Sequence, residues 1–427
     1  MCVQCGSLPT LSHFQRFPSS PKDITSDLRP ISITSIPGKV VESFPVNWMY
    51  NSISDQIDPN QFGGVKNSST TLALLKIVDY IAKNVDKPGI IVRMLLVDFA
   101  KAFDLVDHSI VLNKLSSLGV HSSLLKWSAS FLSERQQCVK IGSSVSSAST
   151  INAGCPQGTL MGPLVFVAHI NDLQPPGPVM TIKYVDDTNV LYASSDPNDP
   201  TLQTAATYLS EWSRENNMKF NIKKSKELVF SFRKSMDEVP FLEVEGNTIE
   251  RVKEVKVLGV FLRDDLKWNS HVEYMLRKAN KRLYLLTLCR RAGLSHCDMI
   301  DIYKSIIRSV LEYCCVVWHS GLPKYLDEAV EKVQKRALHI IYGVENYDFC
   351  LEQSKLLKLS ARREDQCKKL FTKMMDPDHK LNKMLPIMRN VDYNFREFNP
   401  LESMMCNTNR YSNSFLPYSI RNFKANS

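Results

Sequence analysis

The run from Ile90 to Val97 is almost wholly apolar and stops abruptly at Asp98. Such a run reads as a buried strand, and one that ends in a carboxylate delivers that group to the edge of a sheet. Before it, Leu72, Leu75, Val78 and Ile81 recur at helical spacing between Ser68 and Asn84, after a Ser/Thr start suited to capping. After it come a helical pair near 110–118 and 122–132 and a short strand at 138–141. A serine-rich turn through Ser149 leads to a glycine-rich stretch. Met180 to Tyr192 reads as strand, turn, strand, 201–216 as a helix, and 227–232 and 255–262 as strands. From His271 the pattern is helical, near 271–290, 298–318 and 324–342. A mixed central region followed by a helical one predicts an α+β core with a separate helical lobe.

Residues 1–21 hold Pro9, Pro18, Pro21 and several serines without periodicity, and are expected to form an unstructured leader. The tail from Pro377 takes no assignment from its sequence. The chain has 427 residues, and its 53 Lys and Arg against 44 Asp and Glu leave a net charge of +9, which suits an anionic partner without requiring one. Its eleven cysteines follow no repeating framework and are expected to be reduced. Cys2 and Cys5 lack a second pair at metal-binding distance, so no zinc site is expected. No apolar run reaches the length of a membrane span and no signal-peptide core opens the chain. The expectation is an intracellular protein of cytoplasm or nucleus, neither secreted nor in a membrane.

Two acidic motifs carry the chemistry. One is Val97-Asp98-Phe99-Ala100-Lys101-Ala102-Phe103-Asp104, with an aromatic five residues after the strand-ending aspartate. The other is Tyr184-Val185-Asp186-Asp187, at the apex of a predicted hairpin. Adjacent carboxylates repel, so such a tip either faces water or shares a cation. Taken with Asp98, the second option gains ground. Phosphoryl transfer from a nucleoside triphosphate uses two divalent ions about 4 Å apart, held by carboxylates from different strands. Asp98 and Asp186 would be the principal metal ligands, with Asp187 beside them, and the all-oxygen set suits Mg2+, with Mn2+ as a substitute. Between the motifs, Gly154-Cys155-Pro156-Gln157-Gly158 and Gly162 combine close backbone approach with the donor and acceptor of Gln157. That suits contact with a template or incoming nucleotide, or a turn leading into a helix.

The order of these motifs, followed by Asn221-Ile222-Lys223-Lys224-Ser225-Lys226 and Val257-Leu258-Gly259, resembles the successive motifs of reverse transcriptases. Lys101-Ala102-Phe103-Asp104, Asp27-Leu28-Arg29-Pro30-Ile31-Ser32 and Ile170-Asn171-Asp172-Leu173 are similar to the wording of jockey-like, LINE-like (non-LTR) elements. The resemblance covers about residues 22 to 345 and implies a right-hand polymerase fold. On it, residues 22–92 are shortened fingers, 93–265 a palm with an antiparallel sheet and an intervening fingers segment, 266–345 a helical thumb, and 346–427 an extension without an assigned role.

The same resemblance implies an RNA-directed DNA polymerase that uses an RNA template, a DNA primer and deoxynucleoside triphosphates, here expected as a truncated copy without the family's endonuclease. The alternative is a non-catalytic RNA-binding remnant. Asp98, Asp186 and Asp187 would be catalytic, with Lys224 a proton donor to pyrophosphate or a plain surface lysine. Lys22, Arg29, Phe103, Gln157, Gly158 and Tyr184 would bind the nucleotide. Phe103 would be the ring that rejects a ribose 2′-hydroxyl, or a core phenylalanine. Leu258 and Gly259 would grip the primer end. In Gln61-Phe62-Gly63 the residue that follows is Gly64, where the family usually carries an aromatic. Basic and aromatic residues of 274–291 and 318–342 would hold the duplex by its phosphates or form a solvated face.

Overall fold

The computed structural model describes residues 10–14, 30–33, 35–141, 143–233, 239–344, 346–387 and 401–423. Strand β1 (Thr10–Phe14) pairs antiparallel with β2 (Pro30–Ile33) and falls within the stretch expected to be an unstructured leader. Helix α1 (Ile36–Ile53), which no sequence signal above marks, precedes α2 (Thr70–Val85), whose start is capped by the Ser69 hydroxyl accepting from Leu72 N at 3.4 Å. Strand β3 (Ile91–Val97) follows, then α3 (His108–Ser117), α4 (Ser122–Leu132) and β4 (Arg135–Ile141), which runs parallel to β1. Helix α5 (Met161–His169) starts against α1, where the buried Glu42 carboxylate accepts from Met161 N at 2.7 Å.

The central sheet is built from β5 (Met180–Tyr184), β6 (Asp187–Ser194), β7 (Lys226–Phe230) and β8 (Glu250–Val252), with α6 (Thr201–Glu215) between β6 and β7. Its strand order is β8-β7-β3-β6-β5, with β3 antiparallel to both neighbours and β8 parallel to β7. This explains the nearly continuous apolar run, because a central strand covered on both faces has no polar side. Val92 and Met94 face α2 and the C-terminal helices, whereas Leu95 and Val97 face α5 and α6. The one charge in the strand, Arg93, meets the fully buried Glu227 of β7, which Arg251 of β8 also approaches.

Residues 255–262 form a hairpin, β9 (Glu254–Val257) and β10 (Val260–Arg263), instead of the single strand expected; Leu258 and Gly259 adopt positive φ of 45° and 89° and turn the chain back. Helix α7 (Asn269–Arg291) then packs along α9 (Lys324–Tyr342). The helix expected at 298–318 is interrupted. It starts as α8 (His296–Ile302), widens to a π-helical turn at Tyr303–Arg308, and breaks where Cys314 takes φ 50° before the short helix Cys315–Trp318. The wide turn presents the buried Tyr303 hydroxyl to Gln334 Oε1 at 2.6 Å.

The tail is not an appendage. Helices α10 (Tyr347–Ser354), α11 (Leu359–Met374) and α12 (Phe415–Asn422) place Leu359, Cys367, Phe371, Phe415 and Leu416 in one core with α2 and β3. Asp86, just past α2, accepts from the backbone N–H groups of Asn407 and Thr408, each at 2.8 Å. Among the described residues no helix is long and apolar enough to cross a membrane.

Candidate active site

Asp98 is the first residue after β3, and a turn 123 residues later holds it on several sides. Asn221 Nδ2 donates to Asp98 Oδ2 at 2.7 Å, Asn221 N donates to Asp98 O at 2.8 Å, and Asp98 N donates to Ser225 Oγ at 3.1 Å. Ser225 in turn donates to Asn221 O at 2.9 Å. The loop is sewn down further on, where Ala100 N donates to Lys219 O at 2.8 Å. The segment Asn221-Ile222-Lys223-Lys224-Ser225 therefore orients the carboxylate; Lys224 itself is exposed on that turn.

The acidic pair sits where β5 turns into β6. Tyr184 pairs with Asp187 across the hairpin and Val97 pairs with Thr188, so Asp98, one residue on, stands beside the Asp186-Asp187 turn. Asp187 is exposed and Asp186 half-buried. Val185 occupies the tight position with φ 59°, unusual for a β-branched residue and sustained only where neighbours fix it. Those neighbours come from the Gln61 loop. Gln61 Oε1 accepts from Val185 N at 3.0 Å and from Gly63 N at 2.9 Å. Gly63 lies so close that an added Cβ would meet Val185 N at 2.5 Å. Gly64, at φ 69° and packed on Val167, occupies a position that a larger residue could not take without strain. One strand position earlier, buried Lys183 pairs with Asp58 at 2.8 Å and donates to the carbonyls of Ile170, Asn171 and Leu173. Burial lowers its pKa, opposed by the Asp58 charge.

The glycine-rich loop closes on the first motif. Cys155 N donates to Phe103 O at 2.7 Å and Gly154 N to Val106 O at 2.8 Å, while a Cβ on Gly154 would strike Asp104 O at 2.7 Å. Gln157 Nε2 donates to Asp104 Oδ1 at 3.3 Å, and Gly158 is exposed beside it with φ 105°. Phe103 is half-buried and stacks on Phe166 with centroids 4.6 Å apart. At the hairpin end, Tyr313 Oη donates to Leu258 O at 2.8 Å and lies 3.2 Å from the Thr70 hydroxyl, and its ring packs on Gly259.

Among the described residues, no group of three or more His, Cys, Asp and Glu side chains converges to hold a metal ion. Asp98, Asp186 and Asp187 lie at adjoining strand ends, and carboxylate oxygens are the donors that a hard divalent cation takes. Magnesium is commonly held by one or two carboxylates together with substrate phosphates, so a preformed cage is not needed.

Residues 20–262 match the family described as reverse transcriptase (RNA-dependent DNA polymerase). The chain belongs to the reverse transcriptase family. Its similar proteins include the probable RNA-directed DNA polymerase from transposon X-element of Drosophila melanogaster, 27% identical over 77% of this chain and 37% of that protein. The RNA-directed DNA polymerase from mobile element jockey of Drosophila funebris has the same identity and coverage. The chain thus spans little more than a third of the length of these relatives. Among solved structures, apo telomerase from Candida Tropicalis aligns over 90% of this chain and 70% of that one, at 11% identity and a TM-score of 0.45.

For a reverse transcriptase with an α+β, right-hand polymerase fold, the structure brings Asp98 beside Asp186 and Asp187, and Phe103-Asp104 beside Gln157. Lys22 and Arg29 lie outside the described residues. Three supporting groups went unassigned in the sequence. Asn221 and Gln61 stood in quoted motifs without a role, and Lys183 carried no signal, because its partner Asp58 is remote in the chain.

Proposed function

We propose that this chain is an RNA-directed DNA polymerase that extends a DNA primer on an RNA template with deoxynucleoside triphosphates. The observation that carries the reading is the β3–β6 register, which sets Asp98 beside the Asp186-Asp187 turn, while Asn221 holds Asp98 and Gln61 takes the Val185 amide at the turn. Asp98 and Asp186 would be the principal ligands of Mg2+, or Mn2+ in its place, with Asp187 adjacent. A divalent cation there would neutralise the triphosphate and acidify the primer 3′-hydroxyl. Phe103 would rest under the sugar and exclude a 2′-hydroxyl, and Gln157 and Gly158 would line the nucleotide with Tyr184 alongside. Lys224, exposed on the Asn221 turn, would give a proton to the departing pyrophosphate, and Lys22 and Arg29 would meet its phosphates. Leu258 and Gly259, held by Tyr313, would support the primer end.

The competing reading is a non-catalytic RNA-binding remnant that cannot use a nucleotide. Primer extension separates the two. Purified protein with a primed RNA, Mg2+ and a single deoxynucleotide is expected to add the complementary base and no other. Salt-sensitive binding of the primed RNA with no extension in Mg2+ or Mn2+ would leave the remnant and overturn the polymerase.

A further inference from the structure

The Lys380 side chain reaches out of the C-terminal segment and donates to the backbone carbonyl of Gln61, 319 residues away. It emerges from a tight knot after α11, where His379 N bonds Asp376 O, Asn382 N bonds His379 O and Asn382 Nδ2 bonds Met374 O, while Leu381 is buried in the core beside it. Gln61 is the residue whose side-chain oxygen takes the Val185 amide at the acidic turn. Its backbone runs alongside β5, with Lys183 N donating to Asn60 O at 2.9 Å and Phe62 N to Lys183 O at 2.7 Å.

The Lys380 ammonium is placed here at a cost. It lies 4.7 Å from the centre of the buried Phe62 ring, and Lys76 Nζ lies 5.8 Å from the same ring. Burial and the neighbouring Lys76 charge push Lys380 down to about 8, with Asp58 opposing. An apolar side chain would fill the same space without that penalty. What the ammonium adds, beside its attraction to the Phe62 ring face, is a fixed bond to one carbonyl. The Gln61 side chain has little freedom of its own, since it is buried with Oε1 accepting two N–H groups, and exchanging the two ends of the amide would set Nε2 against both donors. Holding the Gln61 backbone therefore holds Oε1, and Oε1 holds Val185 in its unfavourable φ.

We propose that Lys380 is a positioning residue for the Asp186-Asp187 turn, acting through Gln61, and that residues 376–385 thereby tie the C-terminal segment to the acidic site. The activity part of this assignment rests on the polymerase reading; the geometric part does not.

The test uses the full chain with Lys380→Met, Lys380→Gln and Lys380→Arg, followed by hydrogen exchange at the Val185 and Gly63 amides and by single-nucleotide incorporation. Lys380→Met is expected to speed Val185 exchange by about tenfold or more, since the amide loses its fixed acceptor. It should also lower kcat by about tenfold while KM and the affinity for primed RNA change less than about twofold. Lys380→Arg should restore both readings, and Lys380→Gln keeps the measurement open should the Met variant not fold. Unchanged Val185 exchange in a folded Met or Gln variant would overturn the assignment. Faster exchange with no incorporation even by the unaltered chain would keep the positioning role and remove the polymerase reading instead.

Discussion

The carboxamide of Asn221 donates to Oδ2 of Asp98 at 2.7 Å, and the Asn221 backbone N–H reaches the Asp98 carbonyl as well. One residue thus fixes both the strand end and the rotamer of its carboxylate. Asn221→Ala is expected to lower incorporation by roughly 10- to 100-fold, the usual cost of removing a group that orients a metal ligand. Asn221→Asp should be worse, because it sets a second negative charge against Asp98. Both are checked by kcat together with primed-RNA affinity, which should stay near that of the unaltered chain.

Phe103→Ala is expected to admit ribonucleotides, lowering the deoxy-to-ribo efficiency ratio by more than about tenfold. Because Phe103 stacks on Phe166, the variant should also lose about 0.5–1.5 kcal/mol of stability from that pair alone. Phe166→Leu removes the stack and leaves the ring, so it separates the two effects. It should reduce stability and spare the ratio. An unchanged ratio in Phe103→Ala would make Phe103 a packing residue only.

Glu227 is fully buried and accepts from Arg93 Nε at 2.7 Å and Arg251 Nε at 2.9 Å, joining three strands of the sheet. Glu227→Gln would leave two guanidinium groups facing a neutral amide, and should cost about 3–5 kcal/mol in denaturant unfolding. A loss below about 1 kcal/mol would show that water reaches these arginines.

His169 and His271 are buried with neither ring nitrogen hydrogen-bonded among the described residues, and burial pushes both down to about 4. In the unfolded chain each titrates near about 6.5. Between those values the unfolded state takes up protons that the folded state refuses. Stability should therefore be complete above about pH 6.5 and fall as pH drops toward 4, by up to roughly 3 kcal/mol per histidine. His271→Leu should give a shallower acid loss in urea unfolding measured at a series of pH values. An unaltered slope would mean that His271 does not carry it.

The acidic site was legible where chemistry is local. A buried strand that ends at Asp98 and a hairpin with acids at its tip are both patterns within one element, and the register that unites them follows from strand pairing. The bonds that hold the site were not legible, since Asn221 and Asp98 lie 123 residues apart and Gln61 and Val185 lie 124 apart. The break at Cys314 was missed because a left-handed residue there carries no glycine to announce it. Helix α11 escaped notice for another reason. Its inner ridge runs through Leu359, Arg363, Cys367 and Phe371, and the arginine at a core position, buried beside Asp327 and Trp318, interrupts the apolar period.

The most direct test of the two-carboxylate account is single-nucleotide incorporation on a primed RNA by Asp186→Asn beside the unaltered chain, with RNA affinity measured on the same samples. The substitution keeps size and removes one of the two charges at the turn. The account predicts a fall of about a thousandfold or more, equivalent to about 4 kcal/mol of barrier, with RNA affinity retained. Incorporation by Asp186→Asn at a rate near that of the unaltered chain would contradict it.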